Sequence, residues 1–382
     1  MKIGLVSPYP LESYGGVQSH ILSQYYHLKK LNHLVKIIAP GPPTKIPEKL
    51  QQDVIRIGHS VTLPMLYGTQ GTLALGMDYS EEIGSLFEHQ SFDILHFHSL
   101  NIPALSWQIL ELSPTINIAS FHTVLENNFF SVNLLQIIGE YLNRKIHGRI
   151  AISQQAEKLG QRFAPGIFEI IPNGVDTKRF SPTTSPLAKF DHNLINILFV
   201  GRVEKRKGLN FLLRLFKKLK NEGFPLRLIV VGNGSSLKTY KNFYDDPEIY
   251  FEGEVDDQAL PHYYASADIF CSPALFNESF GIVLLEAMSS GKPVVAGKNP
   301  GYQELVEGKN VGFLINPKST SEFRQALTQL IEDDNLRVQM GKNALAYAQN
   351  FAWDKIILKI EDYYQKVIKN NKPEKEAIFK IF

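Results

Sequence analysis

Cysteine is almost absent: the 382-residue chain holds one, Cys271. It can form no internal disulfide framework, so a reducing compartment fits, and its place inside the apolar run "DIFCSPA" suggests a structural residue. An excess of either charge is also lacking. Forty Lys and Arg stand against 38 Asp and Glu, a formal net charge of +2. Nucleic-acid binders usually carry a concentrated basic face, so no nucleic-acid partner is expected. No segment approaches the roughly 18 uncharged apolar residues that span a bilayer. The opening "MKIGLVSPYPLESYGG" lacks the apolar core and small-residue cleavage site of a secretory leader. A cytoplasmic protein is expected, with at most peripheral contact at the inner face of the membrane. Several catalytic signatures are missing too: there is no G-x-S-x-G elbow, H-E-x-x-H, P-loop or D-x-D. These absences argue against an elbow-type serine hydrolase, a zincin, a P-loop nucleotidase and an aspartate-held sugar-nucleotide metal.

What is present is a repeated alternation. Short runs rich in Ile, Val and Phe ("KIGLVSP", "LVKIIAP", "DILHFHS", "INIASFH", "GRIAIS", "FEIIPNG") are separated by amphipathic stretches such as "VQSHILSQYYHLKKL". That pattern predicts βαβ units and a parallel sheet covered on both faces. Around "DTKRFSPTTSPLAKFDHN" (176–193) the chain turns Pro-, Ser- and Thr-rich, as a linker would. The pattern then restarts with "INILFVGR", "LRLIVVGNG", "IYFEGEV", "DIFCSPA", "PVVAG" and "VGFLIN". The expected architecture is α/β: two doubly wound Rossmann-like domains, 1–180 and 181–350, with a ligand cleft between them. The tail "WDKIILKIEDYYQKVIKNN" predicts a long helix, and 351–382 is expected to pack back on the first domain.

Three strand-to-helix junctions carry chemistry. In "ALFNESFGIVLLEAMSSGKPVVA" (274–296), Glu278 precedes a helix whose first amides belong to Phe280, Gly281 and Ile282. Such a terminus attracts anions. Gly281 would admit a ligand without a Cβ in the way. Glu278 could accept hydrogen bonds from sugar hydroxyls, and Glu286, about two turns on, from ribose hydroxyls. The plainer alternative is that Glu278 merely favours the helix terminus and Glu286 is solvated. In "FVGRVEKRKGLNFLL" (199–213), Arg202, Lys205, Arg206 and Lys207 follow a strand end, suiting a diphosphate if they are more than a solvated loop. In "SPYPLESYGGVQSH" (7–20), Gly15 and Gly16 allow close backbone approach, but this is not the G-x-G-x-x-G of a dinucleotide site.

Histidines form the last cluster. His96 and His98 alternate on one strand, and His122 ends the next. An H-x-H pair could ligate a metal, but no carboxylate or cysteine set completes the site. No metal is expected. His122 is better placed for a polar contact near a reacting centre.

Together, "YGGVQSH", "DILHFHS", "FHT", "IPNGVD", "GRVEKRKG" and "NESFGIVLLEAM" resemble, in that order, the retaining glycosyltransferases of family 4 with the GT-B fold. The motifs are most similar to those of bacterial phosphatidylinositol mannosyltransferases, and the likeness runs from Met1 to about Trp353. It implies a metal-independent hexosyltransferase that uses a nucleoside-diphosphate sugar and needs no cofactor. GDP-mannose is slightly favoured, and UDP-sugars are the alternative. The N-terminal domain would bind a glycan or lipid-linked glycan acceptor, and the C-terminal domain the donor. Carried over by residue, Arg202 and Lys207 would neutralise the diphosphate, and Glu278 and the amides of Phe280, Gly281 and Ile282 would hold the donor sugar. Glu286 would take the ribose, the Gly16 amide a phosphate, and His122 the sugar near its anomeric carbon.

The sequence departs from those relatives on the acceptor side. Where a basic membrane-binding helix would stand, "GMDYSEEIGSLFEHQ" carries Asp78, Glu81, Glu82 and Glu88. The stretch after His122, "TVLENNFF", has Glu126 and no lysine, and Phe129 and Phe130 would shape the acceptor site unless they are simply core residues. The loop "EVDDQALPHYY" lacks the lysine expected of a guanine pocket. A sugar-nucleotide epimerase of the same fold is the nearest rival, and a non-catalytic sugar-binding protein a more distant one.

Overall fold

The apolar runs bounded by Gly, Pro, Ser or Asn become strands, buried at the sheet centres and partly exposed towards the sheet edges, in the computed structural model, which describes residues 1–11, 15–41, 48–58, 61–64, 70–73, 78–102, 105–122, 139–190 and 193–371. Glu126, Phe129 and Phe130 lie outside the described residues. The chain divides into two units: Met1–Pro64, Gln70–Ile171 and Asp354 onward form one, and Pro172–Trp353 the body of the other.

The first unit is built on seven parallel strands: β1 (Lys2–Val6), β2 (Leu34–Ala39), β3 (Val54–Arg56), then β6 (Ile94–His98), β7 (Ile116–Phe121), β8 (Gly148–Ala151) and β9 (Glu169–Ile170). Between them in sequence, β4 (Val61–Pro64) and β5 (Gln70–Leu73) pair as an antiparallel hairpin. The large sheet runs β3-β2-β1-β6-β7-β8-β9. Sequence order therefore reverses between β1 and β6, the switch point where ligands of such sheets bind. Ile3, Leu5, Ile37, Ile94 and Ile118 are wholly buried, each contributing about 1.5–3 kcal/mol. After β1 the chain enters helix α1 (Gly16–Lys30).

In the second unit β10 (Ile195–Val200), β11 (Leu226–Val231), β12 (Ile249–Gly253), β13 (Ile269–Ser272), β14 (Val294–Gly297) and β15 (Gly312–Ile315) make a parallel sheet in the order β12-β11-β10-β13-β14-β15. Its switch point lies between β10 and β13. Helix α2 (Leu209–Asn221) follows β10, and α3 (Ile282–Ser289) follows β13. The Pro-, Ser- and Thr-rich stretch read as a linker packs into this unit. Phe180 and Phe190 are buried, Leu187 N–H donates to Ser266 Oγ at 2.8 Å, and Ser289 Oγ donates to the Phe180 carbonyl at 2.5 Å. Apolar anchors order a segment whose composition alone reads as irregular.

The last helix, α4 (Trp353–Asn371), is amphipathic. Its Tyr364 is fully buried within the first unit and accepts a hydrogen bond from Gln24 Nε2 of α1 at 2.7 Å.

Candidate active site

Two loops at the switch point of the second unit meet. After β10 the chain passes through a single 3₁₀ turn, Lys205–Lys207, and reaches α2 at Gly208 in the left-handed region (φ +74°). A Cβ there would lie 2.1 Å from the carbonyl oxygen of Pro273. Glycine is thus what lets the β10 loop close on the β13 loop. The Leu275 N–H then donates to the Arg206 carbonyl at 2.8 Å.

This docking brings Glu278 onto the basic run. Its Oε1 lies 2.9 Å from Arg206 Nη1 and 2.6 Å from Lys207 Nζ, with the residue only 8% exposed. Arg206 Nε also meets Glu204 Oε2 at 3.1 Å, and Arg202 Nη1 meets Glu204 Oε1 at 3.2 Å. Three cations and two carboxylates thus share one patch. Burial lowers the Lys207 ammonium pKa from its ordinary value, opposed by the adjacent Glu278 carboxylate. The structure joins Lys207 to Glu278. Arg202 sits half exposed on Glu204 instead, and Arg206, which the sequence offered only as one of a basic run, becomes the second partner of Glu278.

The helix start beside Glu278 also takes shape. Gly281 caps α3 in the left-handed region (φ +100°), and Ile282 is the first helical residue. A Cβ on Gly281 would meet the Tyr302 ring at 2.7 Å. Backbone conformation and packing against Tyr302 therefore demand this glycine, rather than open space for a ligand. Among the described residues, nothing accepts from the amides of Phe280, Gly281 and Ile282. They keep the donor capacity of a helix N-terminus. Glu286, one turn into α3, is not simply solvated: its Oε2 accepts from Tyr264 Oη at 2.7 Å. Burial pushes the Glu286 carboxyl up to about 7, with the Tyr264 hydrogen bond and Arg179 acting in the opposite direction.

In the first unit the histidines regroup. His96 turns to the last helix and to β7, its Nδ1 lying 2.6 Å from Tyr364 Oη and its Nε2 2.6 Å from Ser120 Oγ. His98 stacks on His96 but hydrogen-bonds His122, with Nδ1 and Nε2 3.0 Å apart, and His20 of α1 packs edge-on against the His98 and His122 rings. The α1 histidine was legible only as part of "GGVQSH". Among the described residues His20, His98 and His122 are the one group with metal-ligand spacing, their ligand nitrogens lying within 4.8 Å of one another. Burial first, and the neighbouring imidazoles next, hold His98 and His122 well below the usual histidine range. Gly16, exposed, opens α1. Asp78, Glu81 and Glu82 gather at the N-terminus of the helix Ser80–His89, where acids stabilise the helix dipole. No helix among the described residues is long and apolar enough to cross a membrane.

Comparison with known proteins places these halves in a family. Residues 14–179 match the model described as Glycosyltransferase Family 4, and residues 185–346 that described as Glycosyl transferases group 1. The phosphatidyl-myo-inositol mannosyltransferase of Mycolicibacterium smegmatis is 31% identical over 370 residues, 96% of this chain and 94% of that protein. Among solved structures, sucrose-phosphate synthase from Thermosynechococcus elongatus superposes with a TM-score of 0.77 at 19% identity, covering 97% of this chain and 99% of that one. Anabaena HepE in complex with UDP-glucose gives 0.75 at 22%, covering 96% and 100%. With two Rossmann-like parallel sheets and these relatives along nearly its whole length, the chain belongs to the family 4 glycosyltransferases of GT-B fold.

Proposed function

We propose that this glycosyltransferase moves a hexosyl group (mannose, glucose or N-acetylglucosamine) from a nucleoside-diphosphate sugar to an acceptor hydroxyl, with retention and formation of an α-linkage. The observation that carries the reading is the contact of Lys207 and Arg206 with Glu278 beside the unclaimed amides of Phe280, Gly281 and Ile282. The cations and the helix terminus offset the charge that develops on the leaving diphosphate, with Arg202 at the edge of the patch. Glu278, held in place by its two basic partners, accepts from the hydroxyls of the transferred sugar. Glu286 accepts from the ribose. From the first unit, His122 and the Gly16 amide are assigned to the sugar and a phosphate.

The reaction breaks the bond between the anomeric carbon and the diphosphate oxygen as the acceptor oxygen bonds that carbon on the same face. The acceptor proton passes to the departing diphosphate. Positioning and charge stabilisation supply the catalysis, and the basic groups serve where other transferases use a divalent cation. The mannosyltransferase names of the relatives put mannose first among the sugars, with GDP-mannose the donor to try, whereas the UDP-glucose complex of HepE keeps UDP-sugars in view.

Glu278→Gln tests the assignment. Turnover should fall by about two orders of magnitude or more, while calorimetric binding of the nucleoside diphosphate alone changes little. Unchanged turnover would remove Glu278 from the site. For the acceptor, a neutral glycan, or a lipid-linked one presented away from the bilayer, fits the first 180 residues, where fourteen Lys and Arg balance fourteen Asp and Glu. An anionic surface favours added basic residues by about 1 kcal/mol each. Weak co-sedimentation with phosphatidylinositol vesicles is therefore expected, and tight, salt-sensitive binding would restore a phosphoinositide acceptor.

A further inference from the structure

The pair His98–His122 has an asymmetry that fixes where its protons lie. One N–H stands between His98 Nδ1 and His122 Nε2, 3.0 Å apart. The other nitrogen of His98, Nε2, is buried and makes no hydrogen bond among the described residues. A proton on Nε2 would bury a donor with no acceptor, a rarer and costlier arrangement than an unused lone pair. His98 therefore carries its proton on Nδ1 and donates it to His122 Nε2. That leaves His122 with its own proton on Nδ1, an atom that bonds no described residue.

The ring of His98 has no freedom to do otherwise. It stacks on His96 with centroids 4.3 Å apart and planes at 28°. His96 in turn is gripped at both nitrogens, by Tyr364 of α4 with Gln24 of α1, and by Ser120 of β7. The His20 ring closes the other side, with centroids 5.5 Å from His98 and 4.8 Å from His122. Burial first, with crowding by His20 and His96, keeps the pair neutral.

We infer that His98 is a positioning residue that presents His122 as a neutral Nδ1–H donor, so that His122 hydrogen-bonds an oxygen of the bound donor sugar rather than acting as a base. This rests on the assignment of His122 to the transferred sugar.

Two side-chain replacements and one spectrum test it. The carboxamide nitrogen of His98→Asn falls where Nδ1 was and keeps a donor for His122, whereas His98→Leu removes it. His98→Asn should keep kcat within about threefold of wild type, and His98→Leu should lose about tenfold or more with little change in KM. In ¹⁵N-histidine-labelled wild-type protein, the nitrogen shifts and couplings of His122 should report the Nδ1–H form. Equal loss in both variants, or an Nε2–H form of His122, would overturn the inference. His122→Leu with unchanged turnover would overturn it differently, by removing the assignment beneath it. The wild-type spectrum decides the tautomer even where a variant fails to fold.

Discussion

Glu286 shows how much the partner of one buried carboxylate matters to the proposed donor site. Its position eight residues after Glu278 was legible from the sequence, but its partner was not: Tyr264 belongs to a helix 22 positions earlier. The same holds for Arg206 and Glu278, joined across 72 positions. Residue types at strand ends name candidates, and only packing says which of four neighbouring basic residues reaches the carboxylate. With its carboxyl pushed up to about 7, Glu286 gains its charge near neutrality, and only the charged form accepts two ribose hydroxyls well. Affinity for a nucleotide sugar, whose diphosphate does not itself titrate near pH 7, should therefore rise from pH 6 to pH 8. Glu286→Gln should flatten that dependence. Stability moves the opposite way. The folded chain holds this proton more tightly than the unfolded one, so the contribution is full below the ordinary glutamate range and is lost as pH rises toward 7. A pH-independent affinity in the wild type, measured by calorimetry, would detach Glu286 from the ribose.

Elements were more legible than residues. The long parallel strands are continuous apolar runs buried on both faces, and such runs read clearly. The strand β3 and the hairpin β4–β5 escaped, because "VIR" is three residues long and "QGTL" mixes small and polar types. The segment 176–193 was read as a linker for want of any sign that Phe180 and Phe190 bury themselves. At this scale the site is the closure of the β10 loop on the β13 loop, and Gly208 is its hinge point. Gly208→Ala adds left-handed strain of about 1–3 kcal/mol and also drives a methyl into the Pro273 carbonyl. Gly223→Ala is the control: φ is +94° there, with nothing within 4 Å of the new methyl. Both variants should melt lower, but only Gly208→Ala should lose nucleoside-diphosphate affinity, by about tenfold or more, as Lys207 and Glu278 are pushed apart. Equal binding by the two would mean that loop closure does not build the site.

The whole molecule is two Rossmann-like sheets, each with its candidate residues at a switch point. Repetition of the strand–helix pattern was enough to anticipate this, and the family motifs did the rest. The family fixes the chemistry as glycosyl transfer, while retention rests on the proposed same-face attack and metal independence on the proposed clamp of Lys207, Arg206 and the α3 terminus. Both are read in one experiment that needs no acceptor. The enzyme is incubated in EDTA with GDP-mannose, UDP-glucose and UDP-N-acetylglucosamine, each an α-linked donor, so that water takes the acceptor's place. The first sugar released is observed by ¹H NMR before it mutarotates. One donor should yield the α-anomer at early times, at a rate unaffected by the chelator. Release of the β-anomer, or activity that vanishes in EDTA and returns with Mg²⁺ or Mn²⁺, would contradict the account.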